Sequence, residues 1–591
     1  MLLKLIYVTF FLSGITIISA FGATYSDLWG IDGEKWTPES RLPDVSYAGF
    51  KCGEETIPVM AVKSNVRDFG AKGDSLTDDT KAFINAITAT DSGAILIPAG
   101  VYKITNFITI DKPNVVLRGE GSGKSVLWFP STLTDVKEDW GSTTTGDRTS
   151  NYSWAGGYIV FSGSYNQQTL ATVTAVAKRG DTSISVSTTT GFTINQWIDI
   201  QVKDDASKSL VTWLYNNNPG SISSLNVLTA RMVSRIKTID TAGKRISLDR
   251  PLRFETRSSW TPIVRRFKPS VYNCGVEELG FKFPETPYPG EFKELGYNAI
   301  NILSAAHCWV RNVHFENAEG GIFCKGMFCT MSGVVLTATK APFTINKYMT
   351  TGGCAGHHGI SVSGTDNLVT NFDFRMSYVH DLSVEDPTSA GNVFSKGRGD
   401  DLCFDNHKEA PHGNVYSDID CGKGNRIWRC GGGANLGLNC GGWSTWWNIR
   451  AAKNLSYPVG FGPWSINLVG LTTGEVTSKQ LSGKWFETMK PEDLVPQNIH
   501  EAQTKKRLVG DTLSTVAKYA RHQQTALNVK SASRVKLFSL SGRLLADIEN
   551  VNISNTSQFT YLTAFSTLSA GLYLYTLSGF DNSLHSGMIQ R

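Results

Sequence analysis

The chain has 591 residues, of which 41% are hydrophobic and 18% are charged, so it can bury a large core and is not a disordered protein. A chain of this length is expected to hold more than one domain. The net charge of +5 is small and the basic residues are scattered, which argues against a nucleic-acid-binding protein.

The N-terminus has the pattern of an export signal. Lys4 precedes an apolar stretch from Leu5 to Ile18, and small residues follow at Ala20 and Ala23. This order predicts a signal peptide over residues 1–22, with an uncleaved membrane anchor as the alternative. No later segment is apolar for long enough to cross a membrane, so we expect a soluble, secreted mature protein.

A helix and short strands are predicted next. In NVRDFGAKGDSLTDDTKAFINAI, which begins at residue 65, Thr77 is a candidate N-cap and Asp78 and Asp79 favour a helix N-terminus. The spacing of apolar residues predicts a helix over 78–88 that buries Phe83, Ala86 and Ile87. The segments GAILIPAGVYKI, FITID and NVVLRGEG then predict short strands separated by Pro and Gly.

Residues 65–123 resemble the N-terminal cap and first coil of the pectate-lyase superfamily, and a looser resemblance continues to about residue 450. The resemblance implies an all-β fold, a right-handed parallel β-helix, over a catalytic domain at 23–510. That superfamily contains lyases, hydrolases, epimerases and phage tailspikes. The resemblance therefore implies a fold and leaves the reaction open.

Residues 165–255 interrupt this pattern with alternating strands and Gly-containing turns, which predict a small inserted β-domain. It either walls a binding groove or is purely structural. From 271 to 450, short apolar strands recur every 18 to 35 residues, as expected for stacked coils. The strand segments are CGVEELGFKF, CWVRNVHFEN, MSGVVLTA, NLVTNFDF, DLCFDN, NVYSDIDC, NRIWRC and STWWNIR. One outward face of such coils forms a long shallow groove in which a linear polymer can lie.

Ten cysteines, nine of them between Cys274 and Cys440, are compatible with disulfides in an exported protein. Cys403, Cys421 and Cys440 recur at intervals of 18 and 19 residues, which suggests equivalent positions on successive coils. Buried stacked thiols explain that spacing as well as disulfides do. No Cys or His pair follows Cys324 and Cys329 at zinc-finger spacing.

Two further elements are predicted at the C-terminus. Residues 484–508 predict an aromatic strand and then an amphipathic helix that caps the coils. Residues 527–591, with LFSLSGRLL and LSAGLYLYTL, resemble the sorting domain of type IX secretion, which has a β-sandwich-like fold. The resemblance implies that the tail is recognised by secretion machinery, and a carbohydrate-binding module is the alternative.

The candidate chemistry lies where five of the ten histidines fall within 56 residues, from His357 to His412. Stacked coils would bring imidazoles and carboxylates to one groove, and a carboxylate would orient an imidazole as general base. The predicted catalytic residues are His358, His380, Asp381, Asp405 and His407. Acidic groups of the substrate would meet Arg375, Arg398 and Arg426, and sugar rings would stack on Trp443 and Trp447.

These residue types suit β-elimination, which needs a base for the C5 proton of a uronic acid and a cation for its carboxylate. We therefore expect a secreted, monomeric lyase of an acidic, uronic-acid-containing and optionally sulfated polysaccharide. The alternatives are a glycoside hydrolase that uses Asp400 and Asp401, and a non-catalytic glycan-binding protein. The polygalacturonase motifs GHHG and GRGDD occur in the wrong order for the hydrolase.

Cofactor use is also open at the level of sequence. Asp400, Asp401 and Asp405 offer hard oxygen ligands for Ca²⁺ in one short stretch. The nearby Arg and Lys residues can neutralise a carboxylate without an ion. We expect no cofactor, with Ca²⁺ as the alternative.

Overall fold

The structure is a computed structural model that describes residues 23–342, 353–458, 461, 462, 465–473, 483–522, 532–538, 544–553, 572–579 and 584–590. The predicted signal peptide lies outside the described residues. No helix in the described part of the chain has the length and apolar character needed to span a membrane.

The N-terminal region contains helices α1 (Thr80–Ala89) and α2 (Leu133–Val136) and short 3-10 turns at Phe50–Gly53, Val66–Phe69 and Asn151–Ser153. Its strands are β1 (Thr24–Tyr25), β2 (Val62–Asn65), β3 (Asp74–Asp78), β4 (Gly93–Ile97), β5 (Gly100–Lys103), β6 (Ile108–Ile110), β7 (Val115–Gly119), β8 (Ser125–Trp128), β9 (Trp140–Ser142), β10 (Arg148–Ser150) and β11 (Ile159–Ser162).

The next region contains helix α3 (Ser209–Leu214), a 3-10 turn at Ser258–Trp260, and strands β12 (Thr169–Thr172), β13 (Ser183–Ser185), β14 (Trp197–Lys203), β15 (Thr229–Asp240), β16 (Arg245–Leu248) and β17 (Ile263–Arg266). These strands form a separate six-stranded antiparallel sheet with its own apolar core around Ile200, Met232 and Trp260.

The following coils contain β18 (Gly275–Glu277), β19 (Gly280–Lys282), β20 (Asn298–Ala306), β21 (Trp309–Glu316), β22 (Gly320–Met327), β23 (Thr330–Thr337), β24 (Gly356–Val362), β25 (Leu368–Thr370), β26 (Asp373–Phe374), β27 (Tyr378–Val384), β28 (Val393–Gly399), β29 (Phe404–Asn406), β30 (Val415–Asp420), β31 (Thr445–Arg450), β32 (Asn467–Leu471), β33 (Trp485–Glu487) and β34 (Leu494–Val495). A 3-10 turn at Pro491–Asp493 and helix α4 (Ile499–His522) follow, and then β35 (Ala532–Phe538), β36 (Leu544–Ile553), β37 (Leu572–Gly579) and β38 (Leu584–Gln590).

The coils form a parallel β-helix, which confirms the predicted fold. A seven-stranded parallel sheet has the order β29-β27-β24-β22-β20-β11-β6, and a seventeen-stranded sheet covers the other sides of the coils. One coil runs from β24 in the first sheet through β25 and β26 in the second and returns to the first sheet at β27. Asn371, whose φ is +54°, makes the bend between β25 and β26.

The parallel register of the seven-stranded sheet stacks like residues on top of one another. An inward row of apolar side chains runs through Ile108, Ile159, Ile300, Ile322, Ile360, Leu382 and Phe404, each completely buried. The outward row of the same strands is Thr109, Val160, Asn301, Phe323, Ser361, Ser383 and Asp405. Burial of the inward row stabilises the stack by about 25 cal/mol per Å² of apolar surface.

A ladder of buried asparagines joins successive coils where each leaves the seven-stranded sheet. The Asn392 side chain donates to Gly364 O at 2.8 Å and to Asn414 Oδ1 at 3.1 Å. Its own Oδ1 accepts from the backbone N–H of Asn367 at 2.9 Å. Each amide therefore satisfies the backbone of the neighbouring coil.

Several local predictions need correction. Helix α1 buries Phe83, Ala86 and Ile87 as predicted, but Asp79 precedes it and Thr77 belongs to β3. NRIWRC is a turn, because the side chain of its Arg426 is drawn into a buried ion pair. The predicted aromatic strand and helix are present as β33 and α4, but the start of α4 packs on the outward side of β28, β30, β31 and β32 and not across the end of the coils.

The cysteine spacing also needs correction. All ten cysteines are unpaired, and nine are buried. Cys403 precedes β29 in one sheet, Cys421 follows β30 in the other, and Cys440 lies in a loop, so these three are not equivalent. Thiols at equivalent positions do occur, because the residues after Cys274, Cys308 and Cys329 pair with one another across three coils.

The described strands of the C-terminal tail, β35 to β38, form a four-stranded antiparallel sheet in the order β36-β35-β37-β38. The rest of the predicted sorting domain lies outside the described residues. The tail's identity as a secretion signal therefore stays a prediction.

The asparagine ladder leads to a stability prediction. Asn392→Ala should lower the free energy of unfolding of the β-helix by at least about 2 kcal/mol, because it leaves the Asn367 N–H and the Gly364 carbonyl buried without a partner. The exposed Asn454→Ala is the control and should change it by less than about 0.5 kcal/mol. Denaturant unfolding followed by tryptophan fluorescence measures both, and equal midpoints would contradict the role of the ladder.

Candidate active site

Four histidines and one aspartate converge at the last three strands of the seven-stranded sheet. His357 and His358 lie on β24, His380 on β27, and Asp405 on β29, with His407 just after it. His380 pairs with His358 across the two strands, and their rings lie 4.9 Å apart. The His380 and His407 rings are 5.0 Å apart and nearly perpendicular.

The two consecutive histidines share one hydrogen-bond acceptor. The backbone N–H groups of His357 and His358 both donate to the carbonyl of Glu319, at 2.8 and 3.3 Å. The register of β24 with β22 and with β27 is continuous here. The two imidazoles are 4.2 Å apart, centre to centre.

Asp405 contacts two of the histidines in the cluster. Its Oδ2 lies 2.9 Å from Nδ1 of His407 and 3.1 Å from Nδ1 of His380, and it accepts from the Ser383 hydroxyl at 2.9 Å. Its Oδ1 accepts from the backbone N–H of Gly431 at 2.7 Å. Because the carboxylate engages Nδ1 of His407, Nε2 of that ring is left for chemistry.

The electrostatics of the cluster differ from one imidazole to the next. Burial alone would raise the pKa of Asp405, but His380 and His407 outweigh it and hold that pKa well below its usual range. Burial lowers the pKa of His407, but Asp405 overcomes this and raises it to about 9. Burial lowers the pKa of His380 to about 4 despite Asp405, and burial with its two histidine neighbours also holds the pKa of His358 far below normal.

Only His407 is open to solvent within this cluster, with 25% of its side chain exposed, whereas His380 and Asp405 are almost fully buried. Gly431 lies directly over the two rings, since a Cβ there would be 2.3 Å from Cε1 of His407 and 2.7 Å from Cε1 of His380. A glycine is required at this position because no side chain fits. Because Gly431 has no side chain, its loop can pack directly against the two imidazoles.

Aromatic and acidic side chains border the other end of the cluster. Phe292, which is 40% exposed, lies edge-on to His357 with ring centres 5.6 Å apart. Glu294 Oε1 lies 3.2 Å from Nδ1 of His357 and accepts from the Tyr288 hydroxyl. Burial raises the pKa of Glu294, but His357 opposes it and the net shift is downward.

Two of the predicted residues belong to a separate buried ion pair. Asp381 is completely buried, forms a salt bridge with Arg426, and accepts from the backbone N–H groups of Tyr378 and Cys403. Arg426 also donates to the carbonyls of Tyr378 and Asp401. The prediction that Asp381 orients an imidazole and that Arg426 binds substrate is therefore corrected, because each satisfies the other inside the protein.

Two other arginines lie on a different side of the coils. Arg375 and Arg398 are exposed and both donate to Asp373 Oδ2, at 2.9 and 2.8 Å. Asp373 pairs with Arg398 in the seventeen-stranded sheet, whereas the histidines belong to the seven-stranded sheet. The coils therefore separate these predicted substrate-binding residues from the cluster.

The predicted sugar-stacking tryptophans are also not in the cluster. Trp447 is fully buried among the residues that cover β28, β30 and β32, and its indole donates to Pro496 O at 2.7 Å. Trp443 is half-buried and packs on Trp213, with ring centres 5.0 Å apart, and under the guanidinium of Arg179. The exposed aromatic ring at the histidines is Phe292, which the sequence pattern did not mark.

Among the described residues, two groups of side chains are spaced closely enough to hold a metal ion. His357, His358 and His380 form one, and His380, Asp405 and His407 form the other, with ligand atoms in each group within 4.8 Å of one another. Asp400, Asp401 and Asp405 do not form a calcium site. Asp400 is exposed, Asp401 accepts from Asn425, and Asp405 is engaged by the imidazoles.

Sequence reasoning thus found His358, His380, Asp405 and His407 and missed several of their partners. The missing ones are His357, Ser383, Glu294, Phe292 and Gly431. The adjacent-histidine motif could have indicated His357. No sequence signal ties Phe292 or Glu294 to histidines more than 60 residues away.

Comparison with known proteins places part of the chain in a family context. Residues 64–229 match the family model described as "Rhamnogalacturonase A/epimerase, pectate lyase-like". Alginate lyase 7 of Azotobacter vinelandii is 40% identical over 72 residues, which is 11% of this chain and 8% of that protein. Mannuronan C5-epimerase AlgE1 of Azotobacter vinelandii is 35% identical over 98 residues, 15% of this chain and 7% of that protein. The chain thus spans less than a tenth of these relatives' length.

Among solved structures, the tailspike protein gp49 of Pseudomonas phage LKA1 aligns with a TM-score of 0.43 and 11% identity, over 69% of this chain and 64% of that one. The A-module of Azotobacter vinelandii mannuronan C-5 epimerase AlgE4 aligns with a TM-score of 0.25 and 10% identity, over 73% of this chain and 98% of that one.

The buried ion pair gives a prediction that separates structure from catalysis. Arg426→Met should destabilise the protein by about 3 to 5 kcal/mol, because it leaves Asp381 buried without its counter-charge. Adding Asp381→Asn should recover part of that loss. Arg398→Met, which removes an exposed ion pair, is the control and should leave the unfolding temperature nearly unchanged. Thermal unfolding reports all three, and a neutral Arg426→Met would contradict the assignment.

Proposed function

We propose that this chain is a polysaccharide lyase that cleaves a uronic-acid-containing polymer by β-elimination. In that reaction a base takes the proton from C5, the C4–O bond breaks, its electrons leave with the oxygen, and a C4=C5 double bond forms. The observation that carries the proposal is the Asp405–His407 pair, whose accessible imidazole is fixed by a buried carboxylate on an outward face of the β-helix.

The pair has the parts that proton transfer requires. Asp405 fixes the orientation of His407 through Nδ1, Ser383 and Gly431 fix Asp405, and 25% of the His407 side chain faces solvent. A side chain locked in this way loses little freedom when it meets the substrate. Asp405 raises the pKa of His407 to about 9, so only the neutral minority of this imidazole at neutral pH can take the C5 proton, and the rate should rise with pH up to about 9. His407 is assigned this transfer, and Asp405 is a positioning residue.

The surroundings also suit a glycan. Phe292 presents an exposed aromatic ring beside His357, and Trp154 lies edge-on to Phe292 with ring centres 6.0 Å apart. Aromatic faces and edges pack against the C–H surfaces of sugar rings. A polymer lying along the outward row of the sheet would meet Phe292 on one side of the histidines.

A glycoside hydrolase of the same fold is supported less well. Hydrolysis needs two carboxyl groups that face each other across the scissile bond. Asp400 and Asp401 are consecutive residues with different environments, one exposed and the other holding Asn425. A non-catalytic glycan-binding protein would have no use for an imidazole tied to a buried carboxylate.

Epimerisation at C5 is the second candidate, and the resemblance to mannuronan C5-epimerase favours it. Its first step, removal of the C5 proton, is the same. The two reactions differ in the second step, since an epimerase returns a proton to the opposite face and a lyase expels the C4 oxygen. A single imidazole on the pair suits either first step.

Export and assembly complete the proposal. The N-terminal signal and a C-terminal type IX sorting domain would carry the protein out of the cell, where a long acidic polymer is available, optionally sulfated. We propose that it acts as a monomer, because the site is built from one chain.

His407 provides the test. His407→Ala should lower turnover by about two to four orders of magnitude, the usual contribution of a positioned proton-transfer group. Its stability should also fall, because Asp405 loses one of its two imidazole partners, so turnover is compared at a temperature at which both proteins are folded. The assay follows the ultraviolet absorbance of new C4=C5 bonds on a panel of acidic polysaccharides.

Asp400→Asn and Asp401→Asn are the matched controls and should retain most activity. The proposed function fails if the aspartate variants are inactive while His407→Ala is active and the products carry only new reducing ends. Nuclear magnetic resonance of the intact polymer separates the remaining outcomes, because epimerisation changes the uronate signals without shortening the chain.

Calcium is not needed in this proposal, because the three aspartates that could have bound it do not share a site. Adding Ca²⁺ to protein dialysed into calcium-free buffer should therefore leave the cleavage rate unchanged. Calcium-dependent recovery of an otherwise inactive protein would contradict this prediction.

A further inference from the structure

Three imidazoles beside the catalytic pair form an arrangement that proton transfer does not explain. The rings of His357, His358 and His380 lie 4.2, 4.9 and 5.3 Å from one another. A nitrogen of each lies within 4.8 Å of a nitrogen of the other two. The two consecutive histidines, whose backbone N–H groups share the Glu319 carbonyl, both contribute to this group.

One imidazole nitrogen of the group is buried without a hydrogen-bond partner. It is Nδ1 of His358, and that residue is only 8% exposed. A buried polar atom without a partner costs about 1 to 3 kcal/mol and needs an explanation, which a shared electron-pair acceptor would give. Nδ1 of His357 and Nδ1 of His380 face Glu294 and Asp405 at 3.2 and 3.1 Å, which leaves Nε2 of these two rings as the candidate ligand atom.

The charges around the group also favour a cation. Glu294 lies 3.2 Å from His357, and Asp405 lies 3.1 Å from His380. Carboxylates next to ligand histidines are the usual outer partners that orient the rings and increase their basicity.

We propose that His357, His358 and His380 bind a divalent transition-metal ion of the zinc class. Imidazole ligands select such ions, whereas Ca²⁺ and Mg²⁺ prefer oxygen ligands. Three protein ligands leave a fourth position open, as in catalytic zinc sites.

A role for the ion rests on the proposed function, although the site itself does not. β-Elimination needs a positive charge near the uronate carboxylate. Arg426 is held by Asp381, and Arg375 and Arg398 belong to another sheet, so the predicted arginines do not supply that charge at the cluster. An ion on the three histidines, with an open coordination position, supplies it.

Zinc binding by the full-length protein tests the site without reference to activity. The protein is produced with a tag that contains no histidine, stripped with a chelator, desalted, and titrated with Zn²⁺ against a chromogenic indicator. We expect about one tightly bound ion per chain. His357→Gln and His358→Gln should each weaken binding by at least about a hundredfold, more than loss of an outer partner does.

His500→Gln and His314→Gln are the controls and should bind zinc like the unmodified chain, because these histidines lie in α4 and in β21. Zinc retained by both cluster variants would place the ion elsewhere, for example on cysteines, and would overturn the proposal. The absence of bound zinc in the unmodified chain would overturn it as well.

Cobalt gives a second readout that needs no variant to fold. Co²⁺ bound to the unmodified chain should show the visible absorption of nitrogen-coordinated cobalt, and a thiolate charge-transfer band would contradict the site. This test distinguishes the metal site from the proposed function. A chain that binds zinc at these histidines but does not cleave acidic polysaccharides would refute the lyase activity and leave the metal site standing.

Discussion

The hydrogen-bonded register between successive parallel strands is the constraint on which the rest of this molecule depends. Each coil places its residues directly above those of the coil before. Side chains alternate between the two faces of a strand, so stacking produces one continuous inward row and one continuous outward row. The inward row of Ile and Leu makes the core. The outward row brings residues from separate coils, Phe323, Ser383 and Asp405, onto one surface.

The sequence was sufficient for the parts of the fold that repeat. Strand spacing, the helix at Thr80–Ala89 and the resemblance of its N-terminal segment together predicted a parallel β-helix, because each depends on local periodicity. The wrong predictions also have a physical reason. NRIWRC has strand-like composition, but Arg426 satisfies a buried carboxylate 45 residues earlier, and a contact so distant in sequence cannot be seen in a local pattern.

The sequence was informative about which histidines lie together and uninformative about which sheet each residue joins. The clustering of histidines predicted that His358, His380 and His407 meet, and their rings do lie together, since neighbouring coils are about 20 residues apart in this part of the chain. Their role as site residues stays a prediction. The position of the bend in each coil decides which sheet a residue joins, and it separates Arg375 and Arg398 from the histidines. The contact between the rings of the consecutive residues His357 and His358 is not expected from strict alternation along a strand.

The cluster also shows how a single buried carboxylate can give two identical side chains different properties. Asp405 contacts both His380 and His407, yet it raises the pKa of His407 to about 9 while His380 remains near 4, because His380 is more deeply buried and faces other imidazoles. His380 lies within 5.3 Å of the His357 and His358 rings, an arrangement suited to bind a cation, whereas His407, held by Asp405 at the surface, is suited to meet the substrate. The two proposed roles, proton transfer at His407 and cation binding at His380, thus differ because the two side chains are buried to different depths in the same coils.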